Sequence, residues 1–178
     1  MYFKLSDSQI KKVLATLTII VDSREQNNGL ILDYFEKKGI NYVVQAMKTA
    51  DYGCFIPANQ DFGIIRDLYF TDSLLIERKA SLDELASNLT IGRTRFESEL
   101  LRAKGANIAL MIENATYGDL VRGNYRSKYE AKSFVATLAT FSARYGLDVN
   151  FVEKELAGNW IYHRLYYAVR EELLHGRV

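Results

Sequence analysis

The sequence predicts an α/β domain in which helices flank a central mixed β-sheet. Short apolar runs rich in β-branched residues, such as 17–21, have the length and composition of buried strands. Between them lie segments with apolar residues at helical spacing, several of which end at a glycine. Strands that alternate with helices in this way are typical of α/β folds.

The chain starts with a helix and a buried strand in this prediction. Ser6 is placed to cap a helix over residues 7–15, within an N-terminal helical segment 1–16. The run 17–21 then predicts a fully buried strand, which brings Asp22 to a sheet edge.

The next part of the chain changes from helix to β structure. Apolar residues at helical spacing predict a helix over 29–38 that Gly39 ends. Four strand-like segments separated by turn formers follow and suggest a meander: residues 41–47, 51–56, 62–70 and 73–79.

The remainder returns to alternating helices and strands. Ser81 and Glu84 have the spacing of a capping box that opens a helix over 82–89, with Asp83 in its first turn. The later elements are a helix over 93–103, a strand over 108–112, a helix over 128–144, a strand over 147–152 and a helix over 156–174.

Composition restricts the class of protein. The 178 residues, 48% of them hydrophobic, are enough for one domain that buries about 70% of its unfolded surface. The lone Cys54 excludes an internal disulfide, and the two histidines lie far from it, so we expect no zinc site and a reducing cytoplasmic setting, or the nucleus in a eukaryote. No apolar stretch approaches the ~20 residues that span a bilayer, so we expect a soluble protein that is not exported.

The net charge of the protein is only +1, so any attraction to nucleic acid must come from a local basic patch rather than from the charge of the whole protein. Basic residues cluster in two places, each of which has a solvated surface as its alternative explanation: Arg93, Arg95, Arg102 and Lys104, and then Arg122, Arg126, Lys128 and Lys132.

The most informative segment is 76–79, Ile-Glu-Arg-Lys, at the end of a buried strand. Glu77 and Lys79 lie on one face of that strand because strand side chains alternate. The other Glu-x-Lys pairs, at 36–38 and 130–132, fall in helical stretches where positions i and i+2 do not face each other. A solvated edge strand with an ion pair is the alternative.

Carboxylates near this strand predict a metal-dependent phosphodiesterase site. Asp51 and Glu77 can converge at the ends of their strands, with Asp22 beside them. Oxygen ligands suit Mg²⁺ or Mn²⁺, which neutralises phosphate charge and lowers the pKa of an attacking water. Without a cation, three clustered acids should show raised carboxyl pKa values. Lys79 is placed to orient water or to stabilise the transition state.

Four ordered motifs then resemble the nuclease domain of XPF-type structure-specific endonucleases. They are Val21-Asp22-Ser23-Arg24-Glu25, Ala50-Asp51-Tyr52, Glu77-Arg78-Lys79 with Asp83, and Gly92-Arg93, matching D-x-R-E, G-D, E-R-K-x-x-x-D and G-R. The resemblance covers nearly the whole chain. It implies a restriction-endonuclease-like fold and one nuclease domain over 1–178.

The resemblance also implies roles for residues. Asp22, Asp51 and Glu77 would be the metal-site acids, Lys79 the catalytic amine, and Asp83 a nearby catalytic acid. For Asp83, a structural role at the helix N-terminus is the alternative.

Four arginines are the expected DNA contacts. Arg24 would support the site or bind a phosphate. Arg78, in the Glu-Arg-Lys motif, is also expected to bind DNA. Arg93 and Arg95 begin a helix, where free N–H groups and a guanidinium can hold phosphate. Their alternative is a pair of surface arginines bonded to Glu97 and Glu99.

The sequence departs from the family pattern in two places. Ala50 stands where a glycine usually precedes the aspartate, and 52–76 is longer than the usual hairpin, which suggests an inserted β-ribbon. The tandem helix-hairpin-helix module that usually follows this domain has no counterpart in the 178 residues, so we expect a stand-alone domain whose fork or flap selectivity comes from elsewhere.

The family dimerises through the last helices of this domain, which implies a homodimer. Six aromatic residues in the C-terminal part are expected in the core and subunit interface, with base stacking as the alternative: Tyr125, Tyr129, Trp160, Tyr162, Tyr166 and Tyr167.

The sequence thus predicts a Mg²⁺- or Mn²⁺-dependent DNA endonuclease acting on branched or repair and recombination intermediates. A catalytically silent DNA-binding subunit of a nuclease heterodimer is the main alternative, although such subunits tend to lose the acids that are intact here. A structural or assembly protein with an accidental acid cluster is a third.

Overall fold

The computed structural model describes residues 5–103 and 105–175. Its strands are β1 Thr18–Asp22, β2 Asn41–Gln45, β3 Tyr52–Ile56, β4 Leu68–Tyr69, β5 Leu74–Lys79, β6 Asn107–Glu113 and β7 Leu147–Val152. They form one mixed sheet in the order β2-β1-β3-β5-β6-β7, with β4 paired to β3. The pairs β1·β2, β5·β6 and β6·β7 are parallel, whereas β3 runs antiparallel to its neighbours.

Helices cover both faces of the sheet, as predicted. They are α1 Asp7–Leu14, α2 Gly29–Lys38, α3 Leu82–Leu89, α4 Arg93–Arg102, α5 Tyr117–Arg122, α6 Ala131–Tyr145 and α7 Ala157–Leu174. One apolar core joins α1, α2 and α7 to the sheet, and a second joins α3, α4 and α6 to the opposite face. The predicted α/β fold with a flanked mixed sheet is therefore confirmed.

Local capping explains several of the helix ends. Ser6 caps α1 in a full capping box with Gln9, and Gly39 ends α2 in the left-handed conformation. The box predicted at α3 is only half formed. Ser81 Oγ accepts from the Glu84 N–H at 3.2 Å, but the Glu84 carboxylate accepts from the Ala80 N–H, one residue earlier than predicted. The helix predicted over 128–144 begins instead at Ala131, because Glu130 caps it with two hydrogen bonds. The short α5 was not predicted.

The predicted meander is wrong. Helix α2 carries the chain across one face, so β2 returns parallel to β1, and β1 lies between β2 and β3. Asp22 ends β1 at the edge formed by the strand ends, as predicted, and β1 is an inner strand of the sheet. The strand predicted over 62–70 shrinks to Leu68–Tyr69, because the chain first makes a 3₁₀ turn at Gln60–Phe62 that an isolated bridge between Asn59 and Ile64 closes. In the segment predicted as an inserted ribbon, β3 is itself an inner strand and pairs with β4 over two residues.

Strand alternation divides β5 between the two cores. Leu75 packs with the core of α3, α4 and α6, while Leu74 and Ile76 pack with the core of α1, α2 and α7. Glu77 and Lys79 therefore point toward α4, and Arg78 points the other way. Among the described residues, none of the helices is long and apolar enough to cross a membrane.

Candidate active site

The sheet brings the predicted acids together at neighbouring strand ends. The register pairs Val21 with Tyr52 and Tyr52 with Ile76, which places Asp22, Asp51 and Glu77 side by side. Backbone hydrogen bonds fix this order: the Asp22 N–H donates to the Asp51 carbonyl at 2.8 Å, and the Asp51 N–H donates to the Ile76 carbonyl at 3.0 Å.

These side chains line a cavity of about 370 Å³ between the sheet and α4. Arg24, Lys48 and Lys79 contribute to it from the sheet side, and the α4 wall consists of Arg95, Glu99 and Arg102. Thr49 Oγ1 donates to the Glu99 carbonyl at 3.2 Å, so the two walls are tied together. Acids therefore lie at the bottom of a pocket whose walls carry several cations.

Asp51 is held in an unfavourable electrostatic position. Its Oδ2 accepts from the Arg78 N–H at 2.8 Å. Burial, together with the neighbouring charges of Glu77 and Glu25, raises the pKa of Asp51 well above its ordinary value. The preceding residue, Ala50, has φ +62°, so the turn that presents Asp51 uses the left-handed conformation.

Glu77 and Lys79 form a buried ion pair. Lys79 Nζ lies 2.7 Å from Glu77 Oε1 and 3.7 Å from Glu84 Oε1, and it sits 5.4 Å from the centroid of the Phe96 ring. Burial raises the pKa of Glu77 more than Lys79 lowers it. Burial lowers the pKa of Lys79, but the charge and hydrogen bond of Glu77 outweigh that effect and leave it raised. Lys79 is therefore a protonated amine in a fixed position at neutral pH.

Asp22 is paired in a different way. The Nε and Nη2 of Arg24 donate to its two carboxylate oxygens, and the Arg24 backbone N–H donates to Oδ1 at 2.8 Å. Burial raises the pKa of Asp22, but the hydrogen bonds from Arg24 outweigh it, so the pKa lies below the ordinary value. The guanidinium of Arg24 also donates to the Met47 carbonyl and remains 69% exposed.

The predicted three-acid metal set is not preassembled. Over residues 5–103 and 105–175, no three His, Cys, Asp or Glu side chains are grouped to hold an ion. Arg24 engages both oxygens of the Asp22 carboxylate. Asp51 and Glu77 nonetheless face one cavity, and Asp51 Oδ1 and Glu77 Oε2 each lack a hydrogen-bond partner in the described part of the chain. Two carboxylates with water ligands suit Mg²⁺, and a cation would compensate the charge of both groups, whose pKa values are raised mainly by burial.

Arg78 has a structural role, which removes it from the predicted DNA contacts. It is only 6% exposed and points away from the cavity. Its Nε and Nη2 donate to the two oxygens of Glu113 at 2.7 and 2.9 Å, and its Nη1 pairs with Glu25. Sequence reasoning missed Glu25 and Glu113 as partners. A carboxylate at the end of the apolar strand β6 was the available signal, since such a group must be paired when buried.

Asp83 also lies outside the cavity. Its Oδ1 accepts from the backbone N–H groups of Arg126 and Ser127, at 2.9 and 2.7 Å, and so it fixes the segment after α5. This geometry favours the structural alternative over the catalytic one. The acid near Lys79 is instead its neighbour Glu84, which sequence reasoning did not select.

Arg93 and Arg95 diverge, because residues two apart on a helix do not share a face. Arg95 lines the cavity with a 76% exposed side chain that pairs with Glu99 at 3.6 Å. Arg93 pairs with Glu97 at 3.5 Å and lies over the Phe141 ring, outside the cavity. Both glutamate pairings of the surface alternative are thus present, and only Arg95 also faces the site. Arg102 lines the site too, while Lys104 of the same cluster lies outside the described residues.

Most of the six C-terminal aromatic residues pack inside the domain. Tyr125 and Tyr129 contact Phe134, with ring centroids 5.4 and 5.1 Å apart. Trp160, Tyr162 and Tyr166 are partly buried against the core of α1, α2 and α7. Tyr167 is 55% exposed.

The family model described as "ERCC4 domain" matches residues 21–163. The chain belongs to the ERCC4 domain family. The resemblance seen in the four sequence motifs is therefore confirmed.

Solved structures agree on the fold of this ERCC4 domain. "XPF from Aeropyrum pernix" matches with a TM-score of 0.62 at 20% identity, covering 87% of this chain and 66% of that one. "XPF from Aeropyrum pernix, complex with DNA" matches with a TM-score of 0.61 at 20% identity, covering 86% and 65%. This chain thus corresponds to just under two thirds of those chains. Comparison with curated proteins finds no match. The predicted restriction-endonuclease-like fold is confirmed.

Proposed function

We propose that this ERCC4 domain is a DNA endonuclease that uses Mg²⁺ or Mn²⁺ and acts on branched or repair and recombination intermediates. The observation that carries the proposal is the assembly of Asp51, Glu77 and a protonated Lys79 at the bottom of one cavity. Nucleases of this family generally depend on a divalent metal. A similar fold has been solved in complex with DNA, which supports DNA as the substrate.

The proposed roles follow from position and charge. Asp51 and Glu77 would hold the ion, which when bound neutralises charge on the phosphorus oxygens and lowers the pKa of a water. Lys79 supplies a fixed positive charge to the reacting phosphate, because Glu77 and the Phe96 ring determine where its amine lies. Arg24 and Arg95 have exposed guanidinium groups at the cavity and bind flanking phosphates.

We further propose that the domain forms a homodimer through its C-terminal part. In the described sheet, β7 is an end strand, and an apolar cavity of about 230 Å³ lies beside it, between α5 and α6. Tyr117 and Val121 at this surface are 58% and 50% exposed. A strand whose outer edge has no partner in the described sheet, next to exposed apolar side chains, is a surface that a second copy can cover.

Cleavage of a labelled forked duplex tests the proposed activity. Wild type should cut with Mg²⁺ or Mn²⁺ and stop with a chelator. Glu77→Ala should bind the fork but not cut it, and its melting temperature without metal should fall, because Lys79 is left buried with only Glu84, 3.7 Å away, as a partner. Glu36→Ala is the matched control, since Glu36 belongs to a Glu-x-Lys pair on α2, remote from the cavity.

The outcomes separate the alternatives. A silent DNA-binding subunit would bind the fork and leave it intact at every metal concentration. A structural protein would neither bind nor cut. Retained cleavage by Glu77→Ala at saturating Mn²⁺ would remove Glu77 from the site.

A further inference from the structure

A second cavity of about 570 Å³ lies beside the acid cavity on the same face of the sheet, within the usual range of about 300–1,000 Å³ for ligand sites. Lys48, Thr49 and Arg102 line both cavities, so the two adjoin, and we refer to them together as the groove.

The floor of this groove follows the strands. Ile20 and Leu75 line the second cavity and lie on the same strand faces as Asp22 and Glu77, two positions earlier along β1 and β5. Between them, Gly53 of β3 has no side chain. A Cβ there would lie 3.0 Å from Met47 Cε and 3.2 Å from Thr71 Cγ2, two residues whose side chains line the groove.

An ordered aromatic ring stands at the far end. Tyr69 of β4 lines the second cavity and pairs in register with Phe55 of β3. The two rings are stacked, with centroids 5.1 Å apart and planes 19° from parallel, yet Tyr69 is 53% exposed. Phe55 therefore fixes the ring while leaving much of it open to a further stacking partner.

The charge of the groove suits a nucleic-acid backbone. Lys48 and Arg102 are exposed, and neither has an ion-pair partner within 5–103 and 105–175. Asp72 is the acidic residue that lines the second cavity. By contrast, Arg93 and Arg95 already pair with glutamates. Unpaired cations beside an exposed ring form the combination that binds single strands.

We propose that Lys48, Arg102 and Tyr69 form a subsite for unpaired nucleotides that continue from the scissile phosphodiester. The two cations bind the backbone, and Tyr69 stacks on a base. Duplex DNA cannot use the ring in this way, because its base faces are already stacked on one another. The subsite rests on the proposed nuclease function and deepens it, since it selects substrates with a single-stranded arm.

Strand geometry gives the distance between the acid cavity at Asp51 and the stacked rings at Phe55. Asp51 and Phe55 are four residues apart, which is about 14 Å at the ~3.4 Å rise of an antiparallel strand. That distance spans about four nucleotides at the ~3.4 Å rise of one strand in a B-form helix, and fewer if the chain is extended. Stacking should therefore be confined to the first few nucleotides of the arm.

Binding without turnover tests the subsite. Fluorescence anisotropy in a chelator would compare a blunt duplex with the same duplex carrying a single-stranded arm. Tyr69→Ala should weaken binding of the armed duplex by roughly 5- to 150-fold, the loss of one stacked base, and leave the blunt duplex unchanged. Tyr69→Phe should bind like wild type. Leu30→Ala, which removes an exposed apolar side chain on α2, away from the groove and from the proposed dimer surface, is the control.

Two further measurements keep the test independent of protein stability. Lys48→Ala and Arg102→Ala should each reduce the slope of log K against log salt by about 0.7 on the armed duplex. 2-Aminopurine placed along the arm should lose fluorescence on binding wild type at one of the first few positions only.

The result that overturns the subsite is equal binding of the armed duplex by wild type and a folded Tyr69→Ala, or 2-aminopurine emission that does not change at any position. If wild type still cuts DNA in that case, only the subsite fails. If wild type neither binds nor cuts DNA, the proposed function fails with it.

Discussion

Replacing Ala50 with glycine should stabilise this domain, although glycine usually destabilises. Ala50 has φ +62°, where an L-residue with a Cβ costs roughly 1–2 kcal/mol relative to glycine. The greater conformational freedom of glycine in the unfolded chain opposes this gain and costs about 0.4–1 kcal/mol of stability. The methyl group of Ala50 is partly buried against the core of α3, α4 and α6, and losing it costs about 0.4 kcal/mol, half of a fully buried methylene. The net change therefore runs from about 0.4 kcal/mol of lost stability to about 1.2 kcal/mol of added stability, with its centre on the stabilising side.

A matched substitution isolates the backbone contribution. Ala46 follows β2, is exposed, and is not among the described residues with positive φ. Ala46→Gly has the same entropic cost in the unfolded chain but relieves no backbone strain, so it should destabilise the domain by about 0.4–1 kcal/mol. The two variants should therefore differ by about 1 kcal/mol, or about 2–4 °C in melting temperature for a domain of this size.

Urea unfolding of wild type and both variants, without metal, measures this difference. Equal destabilisation by the two glycines would refute the reasoning, because it would mean that the conformation at Ala50 carries no strain. Cleavage by Ala50→Gly should stay within a few-fold of wild type. The backbone bonds from Asp51 to Ile76 and from Asp22 to Asp51 hold the aspartate in place whichever residue precedes it.

Three further predictions concern charged groups. Lys79→Met should lower the rate of single-turnover cleavage by roughly 10²-fold or more, while metal affinity measured by calorimetry persists or rises, and Lys79→Arg should rescue cleavage poorly. Cleavage by Lys79→Met within a few-fold of wild type would refute the role of the amine. Folding raises the pKa of Asp51, so the native state holds that proton more tightly, and stability without metal falls as pH rises from the ordinary carboxyl pKa of about 4 through the raised native value. Asp51→Asn does not titrate, so in urea it should be more stable than wild type at pH 8 and lose that advantage toward pH 4. Glu113→Ala leaves Arg78 buried with one partner fewer and should cost about 3–5 kcal/mol by urea unfolding, whereas a loss below 1 kcal/mol would mean that Glu25 alone suffices.

Neighbouring residues of the Glu-Arg-Lys motif show how far sequence reasoning reached. Alternation along a strand placed Glu77 and Lys79 on one face, and the structure has them there. The same alternation sends Arg78 to the opposite face, but the motif grouped it with the DNA contacts. Its true partners, Glu25 and Glu113, lie 53 and 35 residues away in sequence, so no local pattern could have joined them.

Sequence by itself determined the periodicities, and with them the helices, most strands and the acids at strand ends, because these depend on residues a few positions apart. Only the tertiary structure decided the order of the strands, since β1 enters between β2 and β3 through pairing that local propensity does not encode. It also decided that Arg24 engages Asp22, that Asp83 anchors a backbone segment, and that β4 carries Tyr69 to the end of the groove. These contacts depend on which segments, distant in sequence, meet in the fold. A single sequence does not contain the distances between such segments.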